Sequence, residues 1–458
     1  MKKSFLKKTA IIFFWILLWQ LAALLIHNPI YFASPSETVS ELVSQAGGAL
    51  FWRSVGGSLF RIFGGFAAAA FTAFVLAFAA CGRSFIEDMI KPVVAFLKSV
   101  PVAAVVVILL IWWGTKLLVL CIAFMVVFPG IYENVLTGLK KTDRSLLEMA
   151  KVYRMGWREK FLWIRRFSYR PYLISATEVS LGMAFKSGVA AEIIGLPKNS
   201  IGEQLYRDKI YLNTAGVFAW IIVILLLSYL SERFILYIIK QIARCPEPCP
   251  AALKRSMGEN ETGSAPVVAE GIRKCYDGRV ILDTSVKLEA GRIYCLSAPS
   301  GSGKTTLFKI LAGIISADSG RAKALNVSMV FQEDRLIPEA NALRNLQAAG
   351  CRGDIAGEIG KLLPAEVAAQ PVGNLSGGEK RRVAVLRALM HPSDVLIMDE
   401  PFTGLDAQTK HKLTETIKAK RGGRTLIIAS HDGEDAKIFG AQRLTLECGV
   451  LKIAEDME

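Results

Sequence analysis

Long apolar runs dominate the first half of the chain and predict helices that cross a membrane. Six runs come close to the roughly 20 residues that an α-helix needs to span a bilayer. They lie at about residues 10–26, 55–80, 92–113, 117–137, 171–194 and 215–239. Glu178 and Lys186 interrupt the fifth run, and Gly and Ala crowd the second at residues 64–70, as close packing of helices in lipid often requires. The pattern predicts an N-terminal all-α transmembrane bundle of about six helices.

The charges between these runs predict their orientation. Residues 140–170 carry ten Lys or Arg and three Asp or Glu, whereas Arg53 is the one basic residue at 28–53. Basic loops stay in the cytoplasm, so both chain termini and the basic loop are expected there. Four lysines precede the first run, and no small-residue cleavage site follows it, which favours a transmembrane helix over a secretory signal.

The second half has a different pattern, with short apolar runs alternating with helix-compatible ones. Residues 245–265 are polar and contain Pro, Gly and Ser, which is typical of a flexible linker. The roughly 190 residues that follow fit one α/β domain. We therefore predict a membrane domain at 1–244, a linker at 245–265 and an α/β domain at 266–458.

Composition agrees with a membrane protein. Of the 458 residues 52% are hydrophobic and 21% charged, and the mean hydropathy is +0.38. Much of the net charge of +15 is explained by this membrane orientation, which removes the main support for nucleic-acid binding. The eight cysteines are scattered and imply no disulfide framework. Cys245 and Cys249 lie close together, but with four histidines in the whole chain we favour a proline-stiffened linker over a metal site.

A glycine-rich stretch at 298–306 predicts a phosphate-binding loop. It follows an apolar run at 292–297 and opens a helix-like run at 307–312. Backbone N–H groups of such a loop and the positive end of the helix face nucleotide phosphates. Lys304 would reach the β- and γ-phosphates, and the Thr305 hydroxyl would bind Mg²⁺. The candidate nucleotide-binding residues are Pro299, Ser300, Gly301, Ser302, Gly303, Lys304, Thr305 and Thr306.

Ala298 is the one departure from the pattern G-x-x-x-x-G-K-[ST], since it stands where the first glycine is expected. A loop of Gly and Ser that merely turns would explain the glycines. It would not explain Lys304 and Thr305 directly after them.

Further motifs follow in a fixed order. Residues 395–398 are apolar and are followed by Asp399 and Glu400. A strand here, lying beside the phosphate-loop strand, would let Asp399 hold Mg²⁺ through water and Glu400 polarise the attacking water. Ser376, Gly377 and Gly378 open a helix and form a second candidate anion site. Gln332 and His431 each end another predicted strand.

This set resembles the ABC ATPase family over residues 267–447, with ATP and Mg²⁺ as the implied cofactors. The resemblance implies that Tyr276 stacks on adenine and that Gln332 contacts Mg²⁺ and the water. It places Ser376, Gly377 and Gly378 in the signature motif, where Glu379 replaces the commoner Gln. Asp406 would belong to the loop after the acidic strand, and His431 would bind the γ-phosphate. Taken singly, Tyr276 and His431 would be interpreted as ordinary exposed or capping residues.

The basic loop carries a second resemblance. Residues 146–153 have helical spacing, followed by the apolar residues Trp157, Phe161, Trp163, Ile164 and Phe167. The segment resembles the cytoplasmic coupling motif of type I ABC importer permeases. The coupling residues are Glu148, Ala150, Arg154, Gly156, Ile164 and Pro171. Arg154 stands in place of the usual Gly, and Phe167 in place of the first Pro.

The resemblance implies that this segment docks in a groove of the helical subdomain between Gln332 and Leu375. The alternative is an amphipathic helix that lies on the lipid surface.

Stretches across 34–235 are similar to the permeases that handle nitrate, sulfonates, taurine, bicarbonate and thiamine-precursor pyrimidines. They include residues 98–101, 128–130, 187–195 and 201–205. Ionisable residues inside a membrane are functional candidates. Glu192 and Lys186 therefore either line the substrate path or pair between helices.

Together these resemblances imply one half of a type I ABC importer, with a permease and an ABC ATPase of P-loop type in one polypeptide. ATP hydrolysis would drive import of a small solute through the cytoplasmic (inner) membrane, with the ATPase domain in the cytoplasm. The implied partners are a second copy of the chain, an extracytoplasmic binding protein and the lipid bilayer, but no nucleic acid. The alternatives are an exporter half-transporter and an ATP-driven membrane switch without transport. The sequence does not identify the substrate.

Overall fold

Helices form all the regular structure of the N-terminal half that the computed structural model describes. The described residues are 2–244, 263–299, 301–323, 326–430 and 432–454. The helices before the linker are α1 (Lys2–Ile26), α2 (Pro35–Ala46), α3 (Ala49–Ala80), α4 (Ser84–Ser99), α5 (Val102–Trp113), α6 (Leu118–Lys140), α7 (Arg144–Val152), α8 (Trp157–Lys160), α9 (Arg166–Gly195), α10 (Ile201–Ile210) and α11 (Thr214–Arg244). A π-helical turn at Phe161–Arg165 joins α8 to α9. The predicted all-α N-terminal region is confirmed.

The chain divides into two compact units, and their boundaries do not fall only at the linker. One consists of Met1–Lys141 with Ser168–Cys245, and the other of Thr142–Phe167 with Pro246–Glu458. We call them the helical unit and the sheet unit. The basic loop at 142–167, with α7 and α8, therefore packs within the sheet unit.

Four described helices are long and apolar enough to cross a membrane, and a bent pair brings the number to five. The four are Thr9–Ile26, Ala49–Ala80, Leu118–Lys140 and Thr214–Gln241. Helix α9 occupies the place of the fifth predicted run and is continuous over 30 residues. It is less apolar than the others because it carries Glu178, Lys186 and Glu192.

The third predicted run is wrong as a single straight helix. Residues 92–113 fall into α4 and α5, whose axes differ by 102°. The break lies at Val100 and Pro101, both of which have extended backbone angles. Proline disfavours helical geometry in the residue before it and has no N–H to continue the helical hydrogen bonds. Mean hydropathy over the whole run gives no sign of this break, although Lys98 and Ser99 directly precede it.

Close packing in the helical unit depends on small residues, as predicted for α3. A Cβ atom at Gly65 would lie 2.4 Å from the backbone oxygen of Leu120 on α6. Ala69, Ala73 and Ala77 of α3 are fully buried. Only a glycine or an alanine face lets two backbones approach this closely.

The sheet unit has α/β architecture, which confirms the predicted fold class of the C-terminal half. Its strands are β1 (Val267–Tyr276), β2 (Arg279–Leu288), β3 (Ile293–Ser297), β4 (Ser319–Ala322), β5 (Val327–Val330), β6 (Val395–Asp399), β7 (Thr425–Ala429), β8 (Gln442–Glu447) and β9 (Val450–Ile453). Its helices after the linker are α12 (Lys304–Leu311), α13 (Ala342–Ala348), α14 (Ile355–Leu362), α15 (Ala365–Ala369), α16 (Gly377–Met390), α17 (Ala407–Lys420) and α18 (Gly433–Phe439). An antiparallel sheet has the order β2-β1-β4, and a six-stranded sheet the order β5-β6-β7-β3-β8-β9.

The strand order corrects one expectation about the site. Strand β6, which ends in Asp399, does not lie beside the phosphate-loop strand β3, because β7 pairs in parallel with both. The strands β5, β6, β7, β3 and β8 are all parallel. Their carboxyl ends therefore meet at one edge of the sheet, where ligands bind in open α/β sheets.

Candidate functional site

The loop between β3 and α12 has the backbone that its glycines predict. Gly301 and Gly303 have φ angles of +80° and +99°. A Cβ atom at Gly303 would also lie 3.1 Å from the backbone oxygen of Ile281, so glycine is required there for two reasons. Helix α12 begins after Gly303 without a side-chain cap. Its first N–H groups are thus the kind of donors that bind phosphate at a helix start. Pro299 and Ser302 belong to this loop, and Ser300 lies outside the described residues.

The departure at Ala298 has a structural explanation. Ala298 is not among the described residues with positive φ, so no glycine conformation is needed at this position. Its side chain is 7% exposed and belongs to the core cluster of the sheet unit. Lys304 is also buried, and its ammonium donates to the backbone oxygen of Ala298 over 2.7 Å. Alanine at 298 therefore fits the loop without backbone strain, and its backbone oxygen holds the Lys304 ammonium.

Thr305, on the helix that follows β3, contacts Asp399 at the end of β6, although β3 and β6 are not neighbours in the sheet. The Thr305 hydroxyl donates to Oδ2 of Asp399 over 3.4 Å. Burial, followed by the neighbouring charge of Glu400, raises the pKa of Asp399 above its ordinary 3.8. A hydroxyl and a carboxylate are oxygen ligands of the kind that Mg²⁺ prefers, and a cation would relieve the cost of a buried carboxylate. The residues present therefore fit this ion.

Glu400 has a strained backbone at the same edge. Its φ is +51°, an uncommon value for a residue with a side chain. Its N–H donates to the backbone oxygen of Ala429 at the end of β7 over 3.0 Å. The Thr403 hydroxyl donates to Oε2 of Glu400 over 3.3 Å. Strain of this kind occurs where neighbouring structure fixes a functional group.

Arg381 is a buried residue of this region that the sequence reasoning missed. It follows the signature motif on α16 and donates to the backbone oxygens of Phe331 and Gln332. It also pairs with Asp334 over 3.2 Å. Gln332 follows β5 by two residues, and its side chain is exposed. The charged run 379–382 was the available signal, but a run of charges more often marks a solvated helix face.

The second candidate anion site begins α16. The Ser376 hydroxyl accepts from the N–H of Glu379 over 3.4 Å, and Glu379 Oε2 accepts from the N–H of Ser376 over 2.8 Å. This reciprocal capping explains how Glu replaces the commoner Gln, because either side chain closes a capping box. Gly377 has open space around its Cα, and a Cβ at Gly378 would lie 3.3 Å from Leu405.

The structure brings some of the predicted site residues together and leaves others apart. Lys304, Thr305, Asp399 and Glu400 share the carboxyl edge of the six-stranded sheet, where Thr306 follows in α12. Tyr276 ends β1 in the antiparallel sheet and is 47% exposed, with the Lys274 ammonium 5.7 Å from its ring centre. Asp406 precedes α17 and is exposed. The Ser376 hydroxyl and N–H bond to Glu379, and its backbone oxygen accepts from the N–H of Lys380. His431 lies outside the described residues.

Comparison with known proteins gives two family matches. Residues 69–244 match the model of the binding-protein-dependent transport system inner membrane component, and residues 281–403 match that of the ABC transporter. Over 183 residues the chain is 36% identical to an aliphatic sulfonates import ATP-binding protein of Rhodococcus jostii, covering 37% of this chain and 74% of that protein. Over 196 residues it is 36% identical to an aliphatic sulfonates import ATP-binding protein of Delftia acidovorans, covering 41% of this chain and 80% of that protein. The chain belongs to the ABC transporter family.

A further relative is named for export rather than import. The chain is 35% identical over 201 residues to a Nod factor export ATP-binding protein of Ralstonia nicotianae, covering 38% of this chain and 62% of that protein.

The two family matches show that an ABC ATP-binding part and a permease part lie in one polypeptide. The protein is therefore a multi-pass membrane ATPase of the ABC type.

Charged contacts hold residues 142–167, the predicted coupling segment, within the sheet unit. Oε2 of Glu148 on α7 lies 2.7 Å from Nη1 of Arg335 and 3.2 Å from Nζ of Lys309 on α12. Burial alone would raise the pKa of Glu148, but hydrogen bonds from both cations outweigh it and lower the pKa below the ordinary 4.5. Lys151 adds a hydrogen bond of 2.7 Å to the backbone oxygen of Ile314.

Tyr153 anchors the end of α7 deeper in the unit. Its hydroxyl donates to the backbone oxygen of Met329 on β5 over 3.0 Å. The Arg387 guanidinium lies 5.0 Å from its ring centre, and the His391 ring stands edge-on to it at 4.9 Å. Burial lowers the pKa of His391 to about 4, so this imidazole is neutral at physiological pH. The segment therefore contacts β5, α12 and α16, a wider surface than the predicted groove at 332–375.

One expectation about the apolar part of the segment needs correction. Trp157 is 74% exposed and is not an anchor, whereas Trp163 and Ile164 are 3% and 2% exposed and do belong to the core of the unit. Arg154, which precedes this part, has a φ of +51°, a left-handed conformation that glycine adopts more readily than arginine.

The remaining residues of the predicted coupling set have no described contact of this kind. Ala150 is fully buried, and the N–H of Gly156 donates to Oε2 of Glu159. Pro171 lies within α9, in the helical unit.

Proposed function

We propose that this ABC transporter is one half of a binding-protein-dependent importer, which uses ATP hydrolysis to carry a small solute across the cytoplasmic (inner) membrane. The observation that supports this most is the permease match at 69–244 in the same chain as the ABC match at 281–403. Two relatives are aliphatic sulfonates import ATP-binding proteins, which supports a solute of the sulfonate class, and the permease resemblance adds nitrate, taurine and thiamine-precursor-like solutes. An extracytoplasmic binding protein would deliver it.

Export is the second candidate function, and one relative favours it. The Nod factor export relative matches the ATP-binding part, which importers and exporters share. The direction of transport therefore depends on the permease part, and that part matches a component of binding-protein-dependent transport systems, which supports import.

In the proposed ATP site, backbone N–H groups of 301–306 and the ammonium of Lys304 bind the phosphates. Thr305, Gln332 and, through water, Asp399 would hold Mg²⁺, which neutralises phosphate charge when it is bound. Glu400 then acts as the general base that orients and deprotonates the attacking water. Tyr276 stacks on adenine, and His431 contacts the γ-phosphate.

The proposed active assembly is a homodimer. Ser376, Gly377 and Gly378 start α16, and in this family they complete the ATP site of a second cassette, with Asp406 beside it. One chain carries one loop and one signature motif, so two copies form two composite sites. ATP-driven closure of the pair would move the coupling segments and, through them, the permease helices.

Reconstitution of the full chain in vesicles tests this proposal. The importer predicts inward solute flux that needs both ATP and the binding protein, whereas an exporter needs no binding protein and a switch hydrolyses ATP without flux. Glu400→Gln should abolish hydrolysis while ATP binding and dimer closure remain. Glu415→Gln, on the exposed face of α17, is the control. Unchanged hydrolysis in the Glu400 variant would contradict the assigned base.

A further inference from the structure

A cleft of about 410 Å³ lies within the helical unit, between α5, α6 and α9. Its walls are mostly apolar, and small-molecule sites fall in the range of roughly 300–1,000 Å³. The apolar walls include Val102, Val106, Val126, Met183, Ala190 and Ile194. Lys186 and Ser187 are the polar residues of the lining. A cation at an apolar wall distinguishes this cleft from an ordinary packing defect.

Lys186 and Glu192 belong to the same helix but have different environments. Glu192 is fully buried, and its carboxylate accepts from the Ser58 hydroxyl, the N–H of Gly202 and the guanidinium of Arg61. That arrangement ties α9 to α3 and α10, so Glu192 has a structural role. Lys186 is exposed in the cleft, and the described part of the chain provides it with no hydrogen bond or ion pair.

A lysine on a helix of the membrane part needs a compensating group. An ammonium without one is costly in an apolar environment, and such residues are retained at substrate pathways or where they pair. Lys186 lies two turns along α9 from Glu178 and one and a half turns from Glu192, whose carboxylate already has partners. The described residues therefore supply Lys186 with no anion, and a bound ligand can supply one.

We propose that Lys186 is the counter-ion for a small organic anion that binds in this cleft. The ligand would carry one charged group, such as a sulfonate or carboxylate, at Lys186 and Ser187, and a short apolar body against Val106 and Met183. This inference rests on the proposed transport function and narrows its solute class, since the neutral or cationic solutes of related permeases would leave Lys186 uncompensated. It makes Lys186 a specificity-determining residue of the solute path.

Titration calorimetry on the purified full chain in lipid nanodiscs tests the proposal with defined probes. The probes are 1-butanesulfonate, pentanoate, the neutral methyl butyl sulfone and butyltrimethylammonium. Lys186→Gln should weaken 1-butanesulfonate binding about 30-fold or more, as removal of one partner does for a charge pair that the bound ligand shields from water. Lys186→Arg should stay within about threefold of the native chain. Lys116→Gln removes another exposed lysine of the helical unit and should change nothing.

Three results would overturn the inference. One is equal binding of 1-butanesulfonate to the native chain and to Lys186→Gln, or no binding to either. Another is binding of the sulfone or the ammonium probe as tight as that of the anions. A third is cross-linking of Ala190→Cys between two copies with no probe bound, which would mean that a second copy fills the cleft. Because these assays need no ATP turnover, they can fail while Glu400-dependent transport persists, and the reverse also holds.

Discussion

Removal of the Glu148 carboxylate should release the coupling segment from the sheet unit. Glu148 is 29% exposed and contacts Arg335 and Lys309, whose side chains are 11% and 25% exposed. Hydrogen bonds to charged groups contribute about 1.5–3 kcal/mol each, and solvent screening at this exposure reduces that range. Glu148→Gln keeps the shape of the side chain and one acceptor. We therefore expect a cost of about 2 kcal/mol in the docking of α7, or about 30-fold in its docked-to-undocked ratio.

Hydrogen–deuterium exchange of the amides at 144–153 in the full chain measures this equilibrium directly. Faster exchange by about 30-fold is expected in Glu148→Gln, together with less solute carried per ATP hydrolysed in vesicles. Glu415→Gln, whose carboxylate is 60% exposed and pairs with Lys418 on α17, should leave both readings unchanged. Exchange at 144–153 that matches this control would refute the reasoning.

A double-mutant cycle separates the pair from other effects of the substitution. Arg335 also lies 4.0 Å above the Phe331 ring, so Arg335→Gln alone reports two contacts. If the ion pair carries the effect, Glu148→Gln should cost much less in the Arg335→Gln background, with a coupling of roughly 0.5–3 kcal/mol. Additive effects would exclude a direct interaction.

The same carboxylate predicts a dependence on pH. The pKa of Glu148 is lowered in the folded state, so its stabilisation is fully present above its ordinary value of 4.5. It is lost as the pH falls through the lowered pKa, when the docked carboxylate takes up a proton. Docking measured by exchange at 144–153 should therefore be constant from pH 8 to about pH 5 and weaken below pH 4.5. Glu148→Gln should remove this dependence.

Three further substitutions test the backbone and the buried contacts. Arg154→Gly should stabilise docking by about 1 kcal/mol relative to Arg154→Ala, because both lose the side chain and only Gly accepts the positive φ freely; equal exchange in the two variants would contradict this. Tyr153→Phe should lose about 1 kcal/mol with the hydrogen bond to Met329, seen as faster exchange at 144–153, and unchanged exchange would exclude that contribution. Ala298→Gly should lower the urea midpoint by the equivalent of about 0.5–1 kcal/mol without raising ATP turnover, whereas faster turnover would show that Ala298 restrains the loop.

Local requirements were predictable from the sequence, and long-range arrangement was not. The loop glycines could be assigned because a phosphate loop needs positive φ at fixed positions, and Gly301 and Gly303 have it. The order of strands depends on how helices cross the sheet, which the motif spacing does not contain. Asp399 was therefore expected on the strand next to β3, although β7 lies between them.

Contacts of the coupling segment show the same limit. Glu148 and Arg335 are 187 positions apart in the chain, so no local pattern joins them. Aromatic residues at 157–167 predicted a docking face, but apolar character does not determine which side chain faces inward. Trp157 precedes the π-helical turn and is exposed, whereas Trp163 within that turn is buried.

Two departures from the family pattern look equivalent in the sequence and differ in the structure. Ala298 and Arg154 each occupy the place of a glycine, yet φ is positive only at Arg154. Ala298 therefore costs nothing in backbone strain, and its buried methyl adds packing. Arg154 keeps a left-handed turn at a cost of roughly 1–2 kcal/mol, which the contacts of Glu148 and Tyr153 on the preceding helix offset. The glycine-like turn is thus maintained by long-range contacts, so a weaker Glu148 pair should make docking of this segment more sensitive to the residue at 154.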